Sequence, residues 1–157
     1  MNLRPMRPNS KVAPMTSVPA AASGNSSKSA KVLVIDDDAI FRDLLRLHLS
    51  NNGYQVLVAE HAIIGGHLVL SEAPDLIIVD VEMPYINGYE FVEALKGDLE
   101  TRDIPVVFLT VDENVAVHAK RLGAAAYLNK PVMLDALLEV VRRFTSPDQR
   151  SGGKEVH

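Results

Sequence analysis

The chain contains no cysteine, which excludes disulfides, thiolate metal ligands and thiol nucleophiles. That composition suits a reducing compartment, and the expected location is the cytoplasm. Long apolar runs are also missing. None approaches the roughly 18 residues that a membrane-spanning helix needs, so no membrane insertion is expected. A secretory leader is not expected either. Pro14 and Pro19 interrupt the only candidate stretch, where an unbroken apolar run of about 7–15 residues is required. Acids are absent from residues 1–29, which carry Arg4, Arg7, Lys11 and Lys28, a charge of +4. Residues 146–157 are neutral, so a net charge of −4 leaves the middle of the chain at −8. A surface that acidic argues against nucleic acid as a direct partner of the folded part.

What is present is one domain's worth of globular sequence: 157 residues, 47% hydrophobic and 23% charged. Residues 1–29 contain Pro5, Pro8, Pro14 and Pro19 among Ser, Asn and Ala, and read as a disordered tail. Residues 146–157 read as a short polar tail, leaving 30–145 as the folded region. Within it, short β-branched or apolar runs at 31–35, 54–59, 76–79, 105–109 and 125–128 read as strands. Amphipathic stretches separate them. The first presents Ile40, Phe41, Leu44, Leu45, Leu47 and Leu49 as a wide apolar face and stops at Asn52-Gly53. The second, about 61–72, is interrupted by Gly65-Gly66. Asn87 and Glu90 have the spacing of a capping box, Gly123 closes a fourth helix, and Leu134 to Phe144 form a fifth. Five strands alternating with five helices predict a doubly wound α/β fold, a parallel sheet covered on both faces. In such sheets ligands bind beyond the carboxyl ends of the strands.

Those ends carry chemistry. "KVLVIDDD" ends on Asp36, Asp37 and Asp38, "DLIIVD" on Asp80, "VVFLT" on Thr110, and "AYLNKP" on Lys130-Pro131. Two carboxylates about 4 Å apart repel by roughly 4 kcal/mol at an effective dielectric near 20, so a cation is expected among them. Hard oxygen donors without His or Cys suit Mg²⁺. With that charge offset, one carboxylate can act as a nucleophile toward phosphorus, and a Lys and a Thr hydroxyl can hold the phosphoryl oxygens. Asp38 reads instead as the N-cap of the following helix.

The ordered set "VLVIDDD", "PDLIIVDVEMPYINGYEF", "PVVFLT" and "GAAAYLNKP" resembles the receiver domain of two-component response regulators across residues 30–145. The resemblance implies a flavodoxin-like sheet of strand order 2-1-3-4-5. It implies Asp80 as phosphoacceptor, with Mg²⁺ held by Asp37 and Asp80 directly, by Asp36 mainly through water, and by the backbone carbonyl of Glu82. Thr110 and Lys130 would bind the phosphoryl group, and Tyr127 would turn inward when Thr110 moves toward it. Lys130-Pro131 would be a cis peptide, and Met83, Pro84 and Gly88 would shape the loop that starts the next helix. The implied partners are a sensor histidine kinase or a histidine phosphotransfer protein, and an unidentified downstream protein. The implied function is a single-domain phosphorelay switch, with Mg²⁺-dependent self-phosphorylation and self-dephosphorylation rather than turnover of a substrate. Three departures from the family pattern stand out. The Thr110–Lys130 interval is slightly short, Val111 replaces a commonly small residue, and Glu82 sets a carboxylate where hydrolytic water would approach, which predicts slow dephosphorylation.

Two other functions compete. A haloacid-dehalogenase-type phosphatase would use Asp36 as nucleophile and Asp38 as acid/base, with Thr110 and Lys130 completing its motifs, but leaves Asp80 idle. A phosphate-independent adaptor would need none of these residues. Singly, Thr110 reads as a helix cap paired with Glu113, Tyr127 as an aromatic covering the core, and His48, His61, His67 and His118 as scattered surface or edge residues.

Overall fold

The computed structural model describes residues 28–147. The tails expected at 1–29 and 146–157 lie almost wholly outside the described residues. Between them run β1 (Lys31–Ile35), α1 (Ala39–Asn51), β2 (Gln55–Ala59), α2 (Ala62–Glu72), β3 (Leu76–Asp80), α3 (Gly88–Lys96), β4 (Val106–Thr110), α4 (Val115–Leu122), β5 (Ala126–Asn129) and α5 (Leu134–Thr145). The five strands form one sheet in the order β2-β1-β3-β4-β5, each pair parallel. This is the doubly wound arrangement that the alternating pattern predicts.

Strand alternation divides the core into two layers. Leu33, Ile35, Ile77, Val79 and Phe108 face one way and pack against α2, α3 and α4 through Val69, Phe91, Val92, Val115 and Leu122. Val32, Val34, Ile78, Val107 and Leu109 face the other way and meet Leu45 and Leu49 of α1 and Leu137, Leu138 and Val141 of α5. Every residue of β3 and β4 is buried. Their unbroken apolar runs follow from that double cover.

Four strand expectations shift by a residue, β2 beginning at Gln55 rather than Tyr54. β4 begins at Val106 because Pro105 has no N–H to give the ladder, although its carbonyl accepts from Ile77 N at 3.0 Å. β3, β4 and β5 extend to Asp80, Thr110 and Asn129, so the two site residues are the last of their strands rather than the first beyond them. The sheet therefore fixes their backbones directly.

The first helix needs a correction. Only Leu45 and Leu49 are fully buried, while Ile40 is 81% and Leu47 61% exposed, with Leu44 also exposed. Phe41, Leu45 and Leu49 recur at i, i+4, i+8 and form the stripe against the sheet. Ile40, Leu44 and Leu47 lie on an adjoining row that points away from it. α2 runs unbroken through Gly65-Gly66. A Cβ at Gly65 would lie 2.5 Å from Ile35 Cδ1, so the missing side chain is what seats α2 against β1.

Candidate functional site

The carboxyl ends of β1 and β3 bring the acids together. Carboxylate oxygens of Asp36, Asp37 and Asp80 all lie within 4.8 Å of one another. Asp36 and Asp80 are buried, whereas Asp37 is exposed. Asp36 Oδ1 accepts from Asp38 N at 2.9 Å, and its other oxygen accepts from Lys130 Nζ at 2.9 Å. Asp80 Oδ1 accepts from Glu82 N at 3.2 Å and sits 3.4 Å from Lys130 Nζ. The Lys130 ammonium also lies 4.9 Å from the Phe41 ring centre. The Lys130-Pro131 peptide is cis, as the resemblance implies, and Lys130 N donates to Thr110 O at 2.9 Å.

Burial first, and the neighbouring Asp36 charge second, push the Asp80 carboxyl from 3.8 up to about 7, with Lys130 pulling the other way. Burial alone would lower the Lys130 ammonium. Its hydrogen bond to Asp36 and the two carboxylate charges outweigh that and raise it. One ammonium thus pairs with two of the three clustered carboxylates, and Asp37 adds a third negative charge beside them. The deficit of positive charge and the all-oxygen donor set fit a hard divalent cation.

Thr110 is fully buried but does not cap a helix, which corrects the capping alternative. Its hydroxyl donates to Glu82 Oε1 at 2.5 Å and accepts from Asp112 N at 2.9 Å. The N-cap of α4 is Asn114, which makes no side-chain capping bond. Tyr127 pairs in register with Phe108 yet is 40% exposed, so it is not an aromatic covering the core. Asp38 caps α1, accepting from Ile40 N and Phe41 N at 3.0 and 3.2 Å.

The loop after Asp80 is held by Met83, which is buried, by the Pro84 carbonyl accepting from Ile86 N at 2.8 Å, and by Gly88 N donating to Val81 O at 2.9 Å. A Cβ on Gly88 would lie 2.9 Å from Val81 Cα and would collide with the Asp80 carbonyl. Glycine is what lets this turn lie against the strand end. Asn87 and Glu90 form the expected capping box.

Several contacts were not foreseen. Arg42 Nη1 donates to the Asp36 carbonyl at 2.7 Å, and Tyr89 Oη donates to Asp112 Oδ2 at 2.7 Å. Asp112 stands two residues past Thr110, as Glu82 stands two past Asp80, a parallel that puts both carboxylates beside the strand ends but names neither partner. Among the histidines, His61 caps α2 and His118 stacks on Tyr89, while His48 Nε2 is buried without a hydrogen-bond partner. Among the described residues, the Asp36, Asp37 and Asp80 group is the one cluster with metal-ligand geometry.

The family model for the response regulator receiver domain matches residues 32–142. The chain belongs to that family. The receiver domain is similar to protein PilH of Pseudomonas aeruginosa, 38% identical over 114 residues that make up 71% of this chain and 94% of PilH. It is 37% identical to response regulator MprA of Mycobacterium tuberculosis over 125 residues, 76% of this chain and 54% of MprA, so it spans about half that relative's length. Among solved structures it is similar to chemotaxis protein CheY4 of Vibrio cholerae, with a TM-score of 0.70 and 30% identity over 74% of this chain and 99% of CheY4. A CheY-like receiver from Methanospirillum hungatei superposes with a TM-score of 0.73 at 25% identity, covering 80% of this chain and 99% of that one. The receiver domain is a signalling switch of two-component phosphorelays. Family membership leaves the phosphatase reading without support, and Asp38, its required acid/base, is occupied in capping α1.

Proposed function

We propose that Asp80 of this receiver accepts a phosphoryl group from a phosphohistidine, in a reaction that needs Mg²⁺, and that Thr110 and Lys130 hold the transferred group. The observation that carries this reading is the convergence of Asp36, Asp37 and Asp80 within 4.8 Å at the carboxyl edge of the sheet, with one lysine between the two buried acids. Asp37 and Asp80, with the Glu82 carbonyl and Asp36 in support, would hold the cation. When bound, Mg²⁺ would supply the charge that lets a carboxylate meet an anionic phosphoryl group. The residues do the rest. Asp80 supplies the attacking oxygen, Lys130 pairs with the incoming charge, and the Thr110 hydroxyl leaves Glu82 to donate to a phosphoryl oxygen. Tyr127, on the neighbouring strand, turns inward as Thr110 vacates its place.

The donor is a histidine kinase or a histidine phosphotransfer protein, whose phosphoimidazole must reach a recessed carboxylate. The exposed Ile40, Leu44 and Leu47 on α1 and Met133 at the start of α5 follow closely on Asp38 and Lys130 in sequence, and offer that donor an apolar rim. The cysteine-free composition agrees with action in the cytoplasm. The phosphorylated form then presents a changed surface to a downstream protein or passes the group on. The same pocket would support self-phosphorylation by small phosphodonors and self-dephosphorylation. Acetyl phosphate provides the test. Label should enter the wild-type chain only with Mg²⁺ present and should not enter Asp80→Asn; label that enters equally without Mg²⁺, or in Asp80→Asn, would overturn the reading.

A further inference from the structure

The Thr110 hydroxyl is engaged on both sides, by Glu82 at the edge of the acid cluster and by Asp112 beyond it. It donates to Glu82 and accepts from Asp112 N–H. Asp112 is itself pinned twice: Oδ1 accepts from Asn114 N at 2.9 Å and Oδ2 from the Tyr89 hydroxyl at 2.7 Å. Tyr89 follows Gly88 at the start of α3, so the turn built around Asp80 fixes its backbone. Its ring meets Phe108 edge-on at 5.1 Å and stacks on His118 of α4 at 4.2 Å, with 22° between the planes. One side chain therefore joins the Asp80 loop, the segment after β4 and the middle of α4. Burial and the bond to Asp112 hold the Tyr89 hydroxyl well above its ordinary value, so it remains the donor.

We propose that Tyr89 is a positioning residue for the Thr110 switch: its hydroxyl tethers the segment after β4 through Asp112, and its ring passes movement of that segment to His118 on α4. This rests on the reading of Asp80 as phosphoacceptor, because a phosphoryl group there is what draws Thr110 away from Glu82. The backbone N–H of Asp112 is bound to the hydroxyl that must move. Thr110 cannot shift without dragging or dropping Asp112, and Tyr89 opposes either course. A tyrosine hydroxyl on a partly exposed carboxylate adds little to stability. Its effect is on how readily the segment leaves its resting position, and the readout it creates lies on α3 and α4 rather than on Tyr127 alone.

The test uses the whole chain and the Tyr89→Phe variant, which keeps the ring between Phe108 and His118. Asp112→Ala cuts the same bond from its exposed end and stands in should Tyr89→Phe fold poorly. With acetyl phosphate and Mg²⁺, either substitution should raise the initial labelling rate by about threefold to tenfold, the factor that one net hydrogen bond carries. Tyr89→Phe should add nothing further in the Asp112→Ala background. An unchanged rate in both single variants, or independent effects that multiply in the double variant, would overturn the proposal. A second readout needs no phosphate. Thr110→Val should displace the His118 imidazole resonances in the wild-type background and leave them in place when Tyr89 is Phe. Equal displacement in both backgrounds, or none in either, would overturn it. Should the wild-type chain take no label at all, the Asp80 reading fails, and the His118 resonances still decide the tether.

Discussion

Among the described residues Lys130 is the one ammonium between the two buried carboxylates, 2.9 Å from Asp36 and 3.4 Å from Asp80. Lys130→Met would remove its charge, with the cation over the Phe41 ring, while keeping an unbranched apolar chain of similar length. At an effective dielectric near 20 each contact carries about 5 kcal/mol before the ammonium's own desolvation is subtracted. Breaking a buried pair from one side typically costs about 3–5 kcal/mol. The loss must depend on pH. The folded protein holds the Asp80 proton up to about pH 7, against 3.8 for an unperturbed carboxyl. A carboxyl raised in this way favours the folded state below its unfolded value, and that advantage is lost as pH rises through the folded value. The wild-type protein without metal should therefore lose about 2–3 kcal/mol from this group between about pH 5 and pH 8. In Lys130→Met, Asp80 loses the charge that pulled its pKa down, so the decline extends to higher pH. The substitution should cost about 3 kcal/mol near pH 8 and about half that near pH 5, where Asp80 is protonated and only Asp36 lacks its partner. Urea unfolding followed by circular dichroism in EDTA measures both values. Equal losses at the two pH values, or wild-type stability that rises across the interval, would refute this electrostatic account.

Three further substitutions separate the roles of neighbouring residues. Asp38→Ala removes the acceptor of two α1 amides and should cost about 1 kcal/mol in urea unfolding while leaving acetyl phosphate labelling intact; loss of labelling would return Asp38 to the chemistry. Gly88→Ala forces a methyl group against the backbone of Asp80 and Val81, and should cost about 3 kcal/mol and slow labelling, both measurable on the same preparation. Glu82→Asn removes a carboxylate from the approach to Asp80, so the phosphoryl lifetime should shorten by about fivefold, the equivalent of roughly 1 kcal/mol. An unchanged lifetime would discard Glu82 as a brake on hydrolysis.

Much of this architecture was legible because its signals are local. The buried runs of β1, β3 and β4 are continuous and β-branched, and several helix boundaries carry their own punctuation, as Asn87 with Glu90 and Gly123 illustrate. The acid pocket was legible for a topological reason: parallel strands all end at one edge, so Asp36, Asp80, Thr110 and Lys130 had to converge. Side-chain pairings that cross between elements were not legible. Nothing local in "LTVDEN" announces that Thr110 turns to Glu82, or that Asp112 meets Tyr89 from 23 residues away. The buried width of α1 was overestimated because periodicity reveals which residues share a face, not how much of that face a neighbour covers. Gly65-Gly66 misled in the opposite direction. The low helix propensity of glycine was real, and close contact with Ile35 overrode it.

The most direct measurement is the position of the acyl phosphate itself. Wild-type chain labelled in Mg²⁺ and reduced with borohydride converts the modified aspartate to homoserine, which peptide mass spectrometry can locate. The account predicts homoserine at Asp80 alone. Homoserine at Asp36, or label recovered on a residue other than an aspartate, would contradict it.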